Sequence, residues 1–234
     1  MKDILLQAYP YKCELHSHSY PVSRCSEIPP KELAKLLIDS GYSAIALTNH
    51  FYLGYRNEFA SDAEYVDFYY KAYTELSEAA GDKLKVYLGM EIRFEHEAIN
   101  DYLVYGIDKS DLERACYYLD QDIEAFYKGF KNDRNVILQA HPFRNGMKDI
   151  NMEFVDGIEV FNMHIHHNSR ISKAAQCASK LNKLKLCGTD LHYPYQVGTS
   201  FVRTKQLPAD SFELAELIKS QDMILQLSDS IVIP

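Results

Sequence analysis

The sequence lacks any CxxC pair, any apolar run near the roughly 18 residues a membrane span requires, and any excess of basic side chains. Each absence removes a class of protein. Five cysteines (Cys13, Cys25, Cys116, Cys177 and Cys187) are an odd number, unsuited to a disulfide framework, and are read as reduced, mostly buried thiols. The opening stretch MKDILLQAYPYK carries neither the apolar core nor the small-residue cleavage site of a signal peptide, so a cytoplasmic location without membrane attachment is expected. A formal charge of −8 disfavours a nucleic-acid partner, which would call for a basic stripe. With only 10 glycines and 8 prolines in 234 residues, no internal repeat and no linker-like segment, the chain is expected to form one domain over residues 1–234.

What the sequence does contain is a regular alternation. Short β-rich runs (CELHS, SAIALTNH, LKVYLGMEI, DYLVYGI, NVILQAH, GIEVFN, LKLCGTD and MILQLS) are separated by amphipathic segments, with helices expected at 30–40, 61–80, 110–131, 168–182 and 210–220. Pro29 and Pro30 open the first helix, Gly41 closes it, and Asp210 or Ser211 can cap the last. Strands alternating with helices imply an α/β fold of parallel βα units, and this many units favour a barrel. One link is too short for a crossover helix. About six residues separate GMEIRF from DYLVYGI, which predicts a hairpin placing Asp101 at the same end as Glu91.

Active sites of such barrels form at the C-terminal ends of the strands. Nearly every strand here ends in a metal-ligand type: His16 and His18, His50, Glu91, His141, then Asp190 and His192. Residues two apart on an extended chain face the same way, which makes H-x-H and D-x-H natural chelating pairs. A single strand-end histidine is ordinarily a hydrogen-bonded structural residue. Five of nine histidines falling directly after apolar runs favours a metal centre instead.

These residues carry a family resemblance. ELHSHS resembles D-L-H-x-H-S of the PHP (polymerase and histidinol phosphatase) family, AIALTNH its I-x-I-T-D-H, and LGMEI its G-x-E. AHPFR resembles H-P-x-R, GIEVFN resembles G-I-E-V-x-N, and GTDLH resembles G-S-D-x-H, in order from residue 12 to about 200. The resemblance implies a distorted seven-stranded, TIM-like β/α barrel holding two or three divalent ions and hydrolysing phosphate esters. It implies His16, His18, Glu91 and Asp190 as ligands of a first ion, with Glu91 bridging, His50 and His192 for a second, and His141 with Glu91 for a third. Asp101 stands where the family commonly has a histidine, and a carboxylate there can still ligate. Asn49 replaces the usual Asp before His50. The ligand expected soon after H-x-H has no clear counterpart, Glu27 being the nearest acid. His164, His166 and His167 match no fixed ligand, and a solvated loop is expected of them more than substrate contact.

Mixed imidazole and carboxylate donors suit Zn, Mn or Fe better than Mg. Such ions activate a bound water to hydroxide and hold phosphoryl oxygens. Arg144 is the expected catalytic donor to a phosphate, with Arg24 and Arg203 weaker candidates, and His192 or a water the source of the leaving group's proton. The aromatic run FYLGYRNEF at 51–59 is read as pocket wall or as core. The expected activity is a phosphomonoesterase on a small phosphorylated metabolite, histidinol phosphate being one candidate. Its rivals are a phosphodiesterase, a non-phosphate metal hydrolase and a non-catalytic metal-binding PHP module.

Overall fold

The computed structural model describes residues 2–97 and 99–234. Its strands are β1 (Tyr11–Glu14), β2 (Ala44–Leu47), β3 (His50–Tyr52), β4 (Lys85–Leu88), β5 (Met90–Arg93) and β6 (Tyr102–Tyr105), then β7 (Val136–Gln139), β8 (Gly157–Asn162), β9 (Leu184–Gly188), β10 (Ser200–Thr204), β11 (Met223–Leu227) and β12 (Ser230–Val232). The helices are α1 (Lys2–Ala8), α2 (Pro30–Asp39), α3 (Leu53–Arg56), α4 (Asp62–Ala80), α5 (Lys109–Cys116), α6 (Ile123–Phe130), α7 (Ile171–Lys180) and α8 (Ser211–Ser220).

Local chemistry explains most boundaries. Ser61 accepts from the Glu64 amide at 3.2 Å to start α4, and Asp210 accepts from the amides of Phe212 and Glu213 to start α8. After α2 the chain turns at Gly41, whose φ of 71° favours glycine. The expected helical region 110–131 is two helices rather than one. Asp122 caps the Ala125 amide at 2.8 Å and thereby begins α6 after a turn.

The strands form two mixed six-stranded sheets, β12-β11-β10-β1-β2-β4 and β3-β5-β6-β7-β8-β9. A continuous closed ladder of seven strands is not what the pairing describes. Only Thr48 and Asn49 separate β2 from β3, and only Gly89 separates β4 from β5, so two strands bend from one sheet into the other. A Cβ on Gly89 would sit 2.9 Å from Thr48 Cγ2, which is why the bend takes glycine. Tyr69 of α4 places its hydroxyl 2.9 Å from the carbonyl oxygens of both Asn49 and Gly89, covering acceptors at the two bends. Just beyond β1 and the edge strand β9, one parallel bridge joins Ser17 to Leu191, with Leu191 N–H donating to His16 O and His18 N–H to Leu191 O, both at 3.0 Å.

The short link after β5 does make a hairpin, β5 pairing antiparallel to β6 with Glu91 opposite Leu103. The final run MILQLS is not another parallel strand. As β11 it lies antiparallel between β10 and β12, outside the βα units. Aromatic and aliphatic side chains of α2 and α4, including Leu33, Leu37, Tyr65 and Tyr69, pack with Phe51 in one buried cluster. At about 1.5–3 kcal/mol per fully buried large apolar side chain, this packing fixes the strand ends that precede and follow the bends.

Candidate metal centre

Every residue expected at the site lies at one end of the strands. His16 and His18 follow β1, His50 opens β3, Glu91 lies in β5, and Asp101 directly precedes β6. His141 follows β7, and Asp190 and His192 follow β9. His141 and Asp190 adopt φ values of 29° and 57°, a region that costs non-glycine residues about 1–3 kcal/mol. That backbone turns both side chains across the strand ends.

The side chains converge closely. His16 Nε2 is 3.2 Å from Glu91 Oε1 and 3.4 Å from Asp190 Oδ1. His18 Nε2 is 3.3 Å from Asp190 Oδ1 and 3.6 Å from Glu91 Oε2. His141 Nε2 lies 3.1 Å from Glu91 Oε1 and 3.8 Å from Asp101 Oδ2. Four overlapping groups have donor atoms mutually within 4.8 Å: His18, His50 and His192; His16, His18 and Glu91; His16, His141 and Asp190; Glu91, Asp101 and His141.

Glu91, Asp101 and Asp190 are at most 2% exposed. Buried carboxylates require compensating positive charge. Burial alone opposes charge on His16, yet the carboxylates of Glu159, Asp190 and Glu91 hold its pKa well above the usual imidazole value. Burial, with His192 and His50 nearby, holds His18 well below it. Against the same burial, the charges of His16 and His50 keep Glu91 well below the ordinary carboxylate range. Even so, among the described residues His16 Nε2 and His18 Nε2 have no hydrogen-bond partner. Unpartnered imidazole nitrogens facing the carboxylates of Glu91 and Asp190 are the donor set that a divalent cation satisfies.

Residues beyond those anticipated hold the donors in place. Glu159, 1% exposed, accepts from His16 Nδ1 at 2.8 Å through Oε1, and from the His141 amide and Asn162 Nδ2 at 3.0 Å through Oε2. GIEVFN contains it, but nothing local marks Glu159 as facing a residue 143 positions away. Asn49 Oδ1 accepts from the Ser19 amide (2.6 Å) and from Ser23 Oγ (2.9 Å). Ser23 has thereby used its one proton, so His18 Nδ1, 3.0 Å away, must donate to it. The lone pair of His18 is left on Nε2, facing the cluster.

A cavity of about 360 Å³ opens beside this cluster, lined by Cys25, His50, Arg93, Arg144, His164, His166, His167, Asp190, His192 and Tyr193. Arg144 lines it as expected, with Nη2 3.3 Å from Asp101 Oδ2. Arg93, missed in the sequence, grips both oxygens of Asp101 at 2.7 and 2.8 Å. Two guanidiniums sharing one carboxylate make this wall cationic. His164 departs from the expected solvated loop: it is 6% exposed, and burial lowers its pKa to about 4. His166 and His167 are exposed.

Three weaker candidates lie elsewhere. Glu27 is exposed, and its amide donates to His192 O. Arg24 pairs with Glu58, and Arg203 Nε donates to Gln226 Oε1 at 2.6 Å. Of the aromatic run, Phe51 and Phe59 belong to the core, while the Tyr52 ring lies 4.7 Å from that of His50.

Fold and site together define an α/β protein whose strand ends gather histidines and carboxylates into groups able to bind metal ions. Its sequence belongs to the PHP domain family, which matches residues 14–188. Three solved structures are similar. A two-domain protein from Bacteroides vulgatus ATCC 8482, containing a predicted PHP-like metal-dependent phosphoesterase, aligns at a TM-score of 0.61 and 17% identity over 94% of this chain. The chain spans 66% of that protein's length. PsfC from Pseudomonas syringae PB-5123 aligns at 0.56 and 13% identity over 82% of each chain. An amidohydrolase from Chromobacterium violaceum, with bound sulfate and no metal, aligns at 0.50 and 15% identity over 93% of this chain and 98% of its own. No curated protein matches the sequence. Among the described residues, no helix is long and apolar enough to cross a membrane.

Proposed function

We propose that the chain is a metal-dependent phosphoesterase that hydrolyses monoesters of small phosphorylated metabolites. The observation that carries this reading is the cavity in which Arg93 and Arg144 stand beside the histidine and carboxylate cluster. Its volume suits a small metabolite. His16, Glu91 and Asp190 would hold one divalent ion, His18 would serve a second with His50 and His192 rather than the first, and His141, Glu91 and Asp101 would hold a third, with zinc, manganese or iron matching the donors. When bound, such ions supply a nucleophile at neutral pH and a positive field for the ester's oxygens.

The chain's own groups do the rest. Asp101 pins both guanidiniums, so their free N–H groups meet a phosphoryl oxygen without first being ordered. His164, kept neutral by burial, offers hydrogen bonding at the cavity wall without repelling a cation. His192 directs Nδ1–H to its neighbour's carbonyl, Asp190 O, at 2.9 Å. This leaves Nε2 as an acceptor, a role closer to ligand than to proton donor.

The reading takes the chain as one domain and its two sheets as one distorted ring of seven strands, supported by the two shared bent strands and the Ser17–Leu191 bridge. Five unpaired cysteines agree with a reducing, cytoplasmic setting, and the charge of −8 with a small-molecule rather than a nucleic-acid partner. Hydrolysis of a non-phosphate bond is the second reading, favoured by the amidohydrolase among the similar structures.

The test is phosphate release from a panel of monoesters, histidinol phosphate included, and diesters. Mn, Zn or Fe is supplied, and wild type is compared with His16→Ala. Metal-dependent release from some monoesters, lost in the variant, supports the reading. A metal-loaded wild type that releases phosphate from none refutes it.

A further inference from the structure

Cys25 lies in the segment between H-x-H and α2, where sequence alone offers only the exposed Glu27. Its Sγ is 3.1 Å from Nε2 of His50 and 3.1 Å from Nε2 of His192. The other ring nitrogen of each histidine is engaged elsewhere. His192 Nδ1 faces the Asp190 carbonyl, which can only accept, and His50 Nδ1 meets the Tyr52 hydroxyl at 2.5 Å and lies 2.6 Å from Glu91 Oε2. A neutral His192 therefore directs its Nε2 lone pair at the sulfur, and the Nε2 of His50 meets the same sulfur from the other side.

The third ring is independent evidence. His18, fully buried, packs 4.3 Å from the His50 ring and 4.2 Å from the His192 ring, and its Nε2 has no partner. Three histidines thus offer ligand atoms mutually within 4.8 Å, and the sulfur borders two of them. The loop bearing Cys25 is tied to both ligand-bearing strands: the Glu27 amide donates to His192 O at 3.0 Å, and Ser26 Oγ to His18 O at 3.1 Å. The sulfur is therefore positioned before any ion arrives.

We propose that Cys25 is a thiolate ligand of the divalent ion held by His18, His50 and His192, a soft donor in the place where the family pattern leads one to expect a carboxylate or imidazole. The proposal rests on the reading of this cluster as a metal centre. A thiolate shifts that position toward zinc or iron and away from manganese.

The protein is loaded with zinc alone or cobalt alone, and metal content is measured in parallel. In wild type, zinc X-ray absorption is expected to show a sulfur neighbour at about 2.3 Å beside nitrogen and oxygen. The cobalt form is expected to show a near-ultraviolet thiolate-to-cobalt band. Both signals are lost in Cys25→Ser, an exposed one-atom change, and persist in Cys177→Ser. Full metal content with only nitrogen and oxygen neighbours, or a band that survives Cys25→Ser, overturns the Cys25 assignment while leaving the metal-dependent reading intact. Failure to take up either metal overturns both.

Discussion

Replacing Glu159 by glutamine tests whether the metal centre depends on a residue that need not touch the metal. Both carboxylate oxygens accept: Oε1 from His16 Nδ1, and Oε2 from the His141 amide and Asn162 Nδ2. An amide supplies one acceptor and one donor, so either orientation sets an N–H against an N–H. The variant also loses the charge that orients His16. A hydrogen bond to a charged group contributes about 1.5–3 kcal/mol. Since the bond orients a ligand ring, the loss is expected as roughly 10–100-fold weaker metal binding. Competition against a chromophoric chelator measures it, beside Glu153→Gln as an exposed control and thermal unfolding of each metal-free protein. A folded Glu159→Gln that binds zinc within twofold of wild type would refute the argument that this carboxylate orients His16.

Gly188→Ala should disturb the same pair from the backbone side, because its Cβ would lie 2.5 Å from His16 Cβ and 3.1 Å from Glu159 Oε1. A loss of about 1–3 kcal/mol in urea unfolding is expected, with weaker metal binding. Arg144→Met should lower kcat/KM for a phosphomonoester about 10–100-fold, with little change in melting temperature, since its carboxylate contacts lie at 3.3 and 3.8 Å. Equal kcat/KM in the two proteins would remove Arg144 from phosphate binding. Burial pushes the Glu14 carboxyl up to about 7 from 4.5. The native state therefore holds a proton that the unfolded chain releases, and stability contributed here falls as pH rises from about 4.5 to about 7, then levels off. In the metal-free protein, Glu14→Gln should abolish this component, worth up to about 3 kcal/mol between pH 5 and pH 8. An unchanged pH slope would show that Glu14 does not titrate in that window.

Much of the site is legible because its determinants are local. A strand ends where its apolar run ends, side chains two apart share a face, and helix caps act within three residues, so His16, His18, His50, Glu91, His141, Asp190 and His192 can be placed at strand ends from the chain alone. The β5–β6 hairpin follows from loop length, and with it the position of Asp101 near Glu91.

The remainder depends on which strands become neighbours and where they bend. Glu159 meets His16 across 143 residues only because β8 and the end of β1 converge beside Gly188. Arg93 reaches Asp101 across the hairpin, and Cys25 reaches His192 across 167 residues through a loop hydrogen-bonded to two strand ends. The sequence by itself determined the α/β alternation and the residue types offered to a metal, since both follow from periodicity over a few residues. Only the tertiary structure decided the two-sheet pairing, the outer antiparallel strands and the partners that orient each donor, because those contacts exist only once distant segments share a register.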